Sequence, residues 1–397
     1  MNLGEKDDCN TRIFQRCTVD VIDMTSGGGL KLLRIIEKEP EVYIQKLIVA
    51  VSPSGVFLQR ISHAIAYLTY YNYREPTFHI PEGNTIIEIR IKGAPNLQAL
   101  IAGQNTHLEI LSIEQCMMDR LPQTLSKMTM MKRLSITICM LSVLRLDKLL
   151  ENQNLTTLDL SFNQIRQIFP ANDRTGRTLS IERLDLSGNQ LERLDMSVFG
   201  SMPKLTLLDM FGNRIVHLEV SKPVTLPLVN YMYFSNNLIE IFDLRNVTIP
   251  SLIFLHLRSN ALKRMPSLPK MLPELNSLDL SENNLTQLDL SYFRPYQKVQ
   301  YVHFPSNQIS TVRTSSPMNL GEEDCISGIW QGCTIDVIDM TSGGGLKLLR
   351  TIEKEPEVYI QKLIVAERYN AKSQISSSQF QCSETDAVSA ESVTRTI

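Results

Sequence analysis

Several features that would point to a specific chemistry are missing from this chain. Its 40 basic and 42 acidic residues leave a net charge of -2, so there is no electrostatic argument for nucleic-acid binding. The sequence contains no apolar run of 18 residues, which argues against a membrane span. The six histidines are scattered, and there is no nucleophile motif or pair of catalytic carboxylates. We therefore expect no enzymatic activity, no cofactor and no metal.

The chain does contain a repeat. Between Ile86 and Ile309 the pattern L-x-x-L-x-L-x-x-N-x-L recurs ten times, in steps of 22 to 26 residues. One such unit cannot bury its own apolar face, so neighbouring units must stack into a solenoid with a shared core. The units begin at Ile86, Leu108, Met131, Leu155, Ile181, Leu205, Leu228, Leu252, Leu275 and Val299.

Each position of the unit has a physical role. The alternation of Leu155, Leu158 and Leu160 predicts a short strand that points these side chains inward. The ninth position is mostly asparagine, whose buried amide can satisfy backbone groups as the chain leaves the strand. These asparagines are Asn163, Asn189, Asn213, Asn236, Asn260, Asn283 and Asn307. Cys116 and Cys139 occupy the same position in two earlier units, and we interpret them as buried free thiols. The spacing of adjacent strands also permits a disulfide.

The second half of the unit is also repeated. Leu191, Leu194 and Phe199 follow Asn189, and Leu285, Leu288 and Phe293 follow Asn283 in the same layout. In this respect the chain, from Cys9 to Ile309, resembles the extracellular leucine-rich-repeat proteins with units of about 24 residues. It looks most like the mosquito leucine-rich-repeat immune proteins and the Toll ectodomain.

The resemblance implies an α/β fold, a curved leucine-rich-repeat solenoid. Its concave face is a parallel β-sheet, and its convex face is irregular or made of short helices. It also implies recognition of a protein or microbial-surface partner in innate immunity, while the oligomeric state stays open. The alternative is an intracellular scaffold that regulates a signalling protein through the same face.

A cysteine pair, three sequons and the polar N-terminal residues bear on where the protein is located. Cys9 and Cys17 precede the first repeat, and a disulfide between them would cap the open core, as in extracellular members of the resembled group. Sequons at Asn154, Asn246 and Asn284 are compatible with glycosylation. The first eight residues, however, are too polar for a secretory signal. We expect an extracellular protein whose signal segment is missing here. The alternative is a cytoplasmic protein with two free thiols.

The segment that precedes the repeats occurs twice in the sequence. Residues 325–366 match residues 9–50 at 35 of 42 positions, and Cys325 and Cys333 stand for Cys9 and Cys17. We interpret the chain as a cap (1–52), an irregular first repeat (53–85), the solenoid (86–313), a second copy of the cap (318–366) and a disordered tail (367–397). Either both caps are genuine, or the chain joins two adjacent, recently duplicated genes. We favour the join, which also accounts for the missing signal segment and the odd Cys382.

Partner-binding residues are expected on the strand positions that point away from the core. Asp159, Asp185 and Asp209 occupy the fifth position of consecutive units and predict an acidic stripe, although solvated carboxylates are ordinary there. His256, Asp279 and His303 follow in the same column. These two imidazoles beside a carboxylate can respond to mild acid or hold a metal weakly, but a solvated polar face is the favoured interpretation.

A second group of outward positions is apolar. Exposed apolar clusters of this kind tend to be contact sites, so we predict that this one binds the partner. The alternative is a register misjudged by one residue, which would turn these side chains into the core. The group comprises Leu207, Phe211, Met232, Phe234, Ile253 and Phe254.

Overall fold

A long parallel sheet is the spine of the computed structural model, which describes residues 17–22, 44–49, 56–171, 176–313, 334–339 and 362–366. The sheet has fifteen strands, and neighbours in space follow each other along the chain. Strands of five to seven residues up to Thr137 give way to strands of three residues between Thr157 and His303, and the last two strands have six and five residues. In chain order the strands are Cys17–Ile22, Ile44–Val49, Ile65–Tyr71, Glu88–Ala94, Ile110–Cys116, Arg133–Thr137, Thr157–Asp159, Arg183–Asp185, Leu207–Asp209, Tyr231–Tyr233, Phe254–His256, Ser277–Asp279, Tyr301–His303, Thr334–Asp339 and Lys362–Ala366.

Short elements form the second half of the turns. Among the described residues, an α-helix spans Val56–Ile61, and 3₁₀-helices span Leu125–Lys127, Leu146–Leu149, Met196–Ser201 and Leu290–Phe293. Asp195 and Asp289 cap the last two by accepting hydrogen bonds from the N–H groups of Ser197 and Ser291. Parallel pairs join Thr77–Ile80 to Ala99–Ala102, Val143–Arg145 to Gln167–Phe169, Arg193–Asp195 to His217–Glu219, Val224–Thr225 to Val247–Thr248, and Gln287–Asp289 to Thr311–Arg313.

A single apolar core lies between the long sheet and these short elements. Leu155, Leu158 and Leu160 are at most 1% exposed, as the alternation predicts, and the buried cluster runs from Leu47 to Phe304. In the irregular first repeat, Tyr70, Tyr73 and Phe78 pack edge to face with ring centroids 5.2 to 5.5 Å apart. The predicted solenoid with stacked parallel strands is confirmed.

The buried asparagines hold successive turns together. The Asn189 side-chain amide donates to the carbonyl of Leu160 in the previous turn (2.9 Å) and to Leu186 in its own turn (3.0 Å). Its Oδ1 accepts the N–H of Ile165, again in the previous turn (2.9 Å). Asn163, Asn213, Asn260, Asn283 and Asn307 repeat this arrangement. Each amide therefore satisfies backbone groups that a turn leaves without partners.

One unit differs from its predicted register by one residue. Asn237, not Asn236, donates to the Met210 carbonyl and accepts the N–H of Ile215, while Asn236 is exposed. The unit therefore begins at the buried Val229, and Leu228 is 48% exposed. The sequence permits both registers because an apolar pair opens this unit and an asparagine pair closes its strand.

The residue before each ladder position adopts a left-handed backbone. Gly188 and Gly212 take this conformation without steric cost, whereas Phe162 takes it with φ 55°. The Phe162 ring lies over Gly188, where an added Cβ would approach ring atoms to 2.6 Å. The backbone conformation therefore favours glycine at 188, and a larger residue there would also displace the Phe162 ring.

Cys116 and Cys139 form a disulfide, so the interpretation as free thiols is wrong. Both residues are 5% exposed, and their Cα atoms are 4.5 Å apart on adjacent strands. They occupy the ladder position in two consecutive turns, where later turns have asparagine. A covalent link therefore joins these two turns, whereas the later turns are joined by an amide.

The two copies of the duplicated segment lie at opposite ends of the long sheet. Ile44–Val49 pairs with Ile65–Tyr71 at one end, and Thr334–Asp339 pairs with Tyr301–His303 at the other. Cys9, Cys325, Cys333 and Cys382 lie outside the described residues, as does the tail from 367 onward. Within the described ranges, no helix has the length and apolar composition needed to cross a bilayer.

The ladder predicts different outcomes for two adjacent asparagines. Asn237→Ala should lower the free energy of unfolding by about 3 kcal/mol, because buried backbone groups of two turns lose their partners. Asn236→Gly should change it by less than about 1 kcal/mol, since this exposed residue keeps a backbone that glycine adopts freely. Urea unfolding followed by circular dichroism measures both. Equal losses would contradict the revised register.

Candidate functional site

The candidate site is the concave face of the long sheet, where alternate strand residues point away from the core. Strands in register bring equivalent positions side by side: Asp159 pairs with Asp185, and Asp185 with Asp209. Tyr233, His256, Asp279 and His303 continue this fifth-position column. Beside it the third-position column runs Arg133, Thr157, Arg183, Leu207, Tyr231, Phe254, Ser277 and Tyr301.

An aromatic cluster occupies two adjacent turns of this face. The rings of Tyr231 and Phe254 are stacked with centroids 5.3 Å apart, and Tyr233 meets His256 edge to face at 5.1 Å. All four side chains are partly exposed, and we name them the aromatic platform. Desolvation by burial raises the pKa of Tyr233, as do the neighbouring Tyr231 and Asp209. The platform thus presents a broad, weakly polar surface to solvent.

Two of the predicted contact residues are in the core. Met232 and Phe234 are fully buried, because the unit is shifted by one residue and a shift of one turns each side chain to the opposite face. Phe234 packs edge to face on Phe242 at 5.4 Å. Tyr233, not Met232, therefore occupies the fifth position of this unit. The prediction that Met232 and Phe234 contact the partner is wrong.

The other predicted apolar residues lie on the surface. Phe211 is 45% exposed at the end of its strand, and Leu207, Ile253 and Phe254 are partly exposed. Their role in binding stays a prediction. Sequence reasoning missed Tyr231, Tyr233 and the 45% exposed Tyr301. A usable signal was the alternation Tyr-Met-Tyr-Phe at 231–234, since two tyrosines pointing inward would need buried partners for their hydroxyl groups.

The acidic stripe is present and has a structural function as well. Each aspartate closes the turn after its strand: Asp185 accepts the N–H of Ser187 (2.9 Å) and Asp209 that of Phe211 (2.8 Å). Desolvation by burial raises the pKa of Asp209 to about 6, the charges of Asp185 and Asp159 act in the same direction, and the Phe211 hydrogen bond opposes them. Carboxylates stacked about 4.8 Å apart repel one another, which is unfavourable in the free protein.

His256, Asp279 and His303 lie side by side as predicted. Desolvation lowers the pKa of His256, the Asp279 carboxylate opposes that shift, and the His303 imidazole adds to it. Among the described residues, no group of three histidine, cysteine or acidic side chains is arranged to hold a metal ion.

Charged residues dominate the preceding turns of the same face. Arg90, Arg133 and Arg183 line a groove of about 470 Å³ together with Asp159 and Asp185. The concave face therefore changes from mixed charge in its first half to aromatic in its second. A surface of this kind suits another macromolecule more than a small enclosed ligand.

The residues predicted for processing are only partly described. The sequon residues Asn154 and Asn246 are exposed and Asn284 is partly exposed, so an attached glycan would meet no core residue. Asn154 donates its amide to the Thr129 carbonyl (2.9 Å). The predicted Cys9–Cys17 disulfide lies outside the described residues.

Fold and face together define the class: a leucine-rich-repeat solenoid, an architecture typical of protein-interaction modules. The family model described as "Leucine rich repeat" matches residues 153–215. Chaoptin of Drosophila melanogaster is 32% identical over 144 residues, which is 34% of this chain and 10% of Chaoptin. The chain thus spans about a tenth of the length of this curated relative.

The chain is also similar to solved structures. RP105, in the crystal structure of the mouse RP105/MD-1 complex, has a TM-score of 0.53 and 19% identity, over 84% of this chain and 61% of that one. At this identity the likeness to RP105 shows the fold alone. An internalin (inlF) of Listeria monocytogenes has a TM-score of 0.40 and 14% identity, over 71% and 76% of the two chains.

The raised pKa of Asp209 predicts a pH-dependent stability. The pKa of Asp209 is 3.8 in the unfolded chain and about 6 in the folded chain. Between these two pH values the folded chain holds a proton that the unfolded chain has released. The stability that this proton provides is therefore lost as the pH rises through 6. Asp209→Asn keeps the acceptor oxygen without the charge. It should stabilise the chain by about 1 kcal/mol at pH 7.5, after allowance for solvent screening, and by about half as much at pH 5, which lies between the two pKa values.

Thermal unfolding at the two pH values measures this effect. Asp279→Asn is the matched control, since Asp279 accepts an equivalent turn hydrogen bond from Ser281 but has histidines beside it. A gain from Asp209→Asn that is equal at both pH values would exclude the proposed repulsion.

Proposed function

We propose that this protein is a non-catalytic recognition protein that binds a protein or microbial-surface partner through its concave face, outside the cell and in innate immunity. The observation that supports this most directly is the aromatic platform. A soluble chain gains nothing from showing stacked rings to water on an otherwise polar sheet, whereas aromatic side chains dominate binding energy at interfaces.

The architecture supports a macromolecular partner. Leucine-rich-repeat solenoids present a long row of side chains on a rigid sheet, which matches an extended surface better than a small molecule. RP105, which shares this fold, is seen in complex with MD-1. By analogy we propose a protein partner as the first candidate and a microbial surface as the second. Innate immunity rests on the resemblance of the repeats to insect immune proteins and Toll ectodomains.

The extracellular location is supported by the Cys116–Cys139 disulfide. Disulfides persist in oxidising compartments and are rare in the cytosol. The exposed sequons at Asn154 and Asn246 are compatible with passage through the secretory route. An intracellular scaffold that uses the same face remains the alternative, and it predicts free thiols.

The binding test uses two platform residues. Tyr231→Ser with Phe254→Ser should weaken partner binding at least tenfold, because truncating a buried interface aromatic costs about 2 kcal/mol or more. The full chain is screened against a panel of secreted proteins and whole microbial cells, and affinities are measured by surface plasmon resonance. Met271→Ser, at an 81% exposed residue outside the sheet, is the control and should bind as the parent does.

Circular dichroism verifies that the double variant is folded. The loss of the Tyr231–Phe254 stack should cost about 1 kcal/mol of stability, which leaves the solenoid intact. Unchanged affinity in a folded double variant would reject the platform as the binding site.

The location is tested by counting thiols. The chain is expressed behind a borrowed signal sequence, and alkylation is followed by mass spectrometry before and after reduction. We expect Cys116 and Cys139 to react only after reduction, with glycan at Asn154 or Asn246. The intracellular alternative gains support if the same cysteines react without reduction in a stable product made in the cytosol.

A further inference from the structure

Many charged residues of this chain form ion pairs within a turn or between neighbouring turns. On the concave face Arg90 pairs with Glu88, and away from that face Lys298 lies 2.7 Å from Glu274 and Lys263 lies 3.1 Å from Glu240. On the concave face, the three stacked aspartates have no ion-pair partner among the described residues. Asp185 and Asp209 each accept a single backbone N–H through Oδ1. Their Oδ2 atoms are therefore available to an incoming donor.

The aromatic platform begins directly beside these carboxylates. Asp209 pairs in register with Tyr233, and Leu207 of the same strand pairs with Tyr231. Carboxylates, aromatic rings and one aliphatic side chain thus meet within three adjacent turns. This junction consists of Asp185, Asp209, Leu207, Tyr231 and Tyr233, and we name it the acid–aromatic junction.

We propose that the acid–aromatic junction binds an arginine or lysine side chain of a protein partner, with an apolar partner residue resting on the platform beside it. This inference rests on the proposed function and adds the chemistry of the partner. A cation between Asp185 and Asp209 relieves their mutual repulsion and gains charge-assisted hydrogen bonds. The Tyr233 ring, which lies beside Asp209, can contact the same cation.

Two arginines also lie close to the junction. Arg133 and Arg183 occupy the adjacent column and form no ion pair with the acidic stripe within the described part of the chain. Burial is the first cause of the raised Asp209 pKa, and the charges of Asp185 and Asp159 act in the same direction. A cation held between Asp185 and Asp209 therefore removes a repulsion that persists in the free chain.

The test needs no known partner. A displayed library of random twelve-residue peptides is panned on the whole chain, and enriched peptides are synthesised in two forms: the selected sequence and one with each arginine replaced by citrulline, its neutral near-isostere. We expect enrichment of arginine or lysine next to an aromatic or aliphatic residue. Calorimetry should show binding at least tenfold weaker for the citrulline peptide.

Variants assign the effect to the junction. In Asp185→Asn with Asp209→Asn, both turn hydrogen bonds keep an acceptor, and the selected and citrulline peptides should bind within about twofold of each other. Asp289→Asn is the matched control: it makes the same turn hydrogen bond with Ser291 outside the long sheet, and it should preserve the full discrimination.

The outcomes separate this inference from the proposed function. If citrulline peptides bind as tightly as arginine peptides, yet Tyr231→Ser with Phe254→Ser abolishes binding, the cation inference is overturned and the concave-face function stands. If no peptide is enriched, or if the enriched peptides ignore both sets of variants, the proposal and the function on which it rests are both contradicted.

Discussion

The structure depends on one repeated interaction, the buried asparagine amide that links each turn to the turn before it. A solenoid has no long-range contacts to fix its shape, so every pair of turns must satisfy its own backbone groups. The Asn213 amide does this by donating to Leu186 in the previous turn and accepting from Leu191. In the two consecutive turns that carry cysteine at this position, the Cys116–Cys139 disulfide links the turns instead. The strands are thereby held in register, and that register sets which side chains form columns on the concave face.

These columns produce both the favourable and the unfavourable features of the surface. The register that stacks the Tyr231 and Phe254 rings also stacks Asp159, Asp185 and Asp209, so apolar and acidic groups accumulate side by side. In the free chain this arrangement is unfavourable, because the carboxylates repel one another and aromatic surface is exposed to water. A partner with a basic and an apolar group removes both costs at once. These two unfavourable features of the free surface therefore support a role in recognition.

Much of the fold could be read from the sequence because a repeat states the same pattern many times. The starts at Leu155, Ile181 and Leu205 and the ladder positions Asn163, Asn189 and Asn213 are all buried as expected. The site was harder to predict, because the register of one unit determines which residues lie at its centre. The pairs Leu228-Val229 and Asn236-Asn237 fit the repeat equally well in two registers. The wrong register places Met232 and Phe234 on the concave face, where the structure has Tyr231 and Tyr233.

By itself the sequence determined the solenoid, its period and the direction of its core, because burial of one apolar stripe per turn is a local requirement. Only the tertiary structure decided the register at Val229, the bond between Cys116 and Cys139, and the meeting of Asp209 with Tyr233. The physical reason is that each of these depends on the neighbouring turn. Backbone hydrogen bonds to the strands on either side select the register, and a disulfide requires two cysteines to be brought within bonding distance.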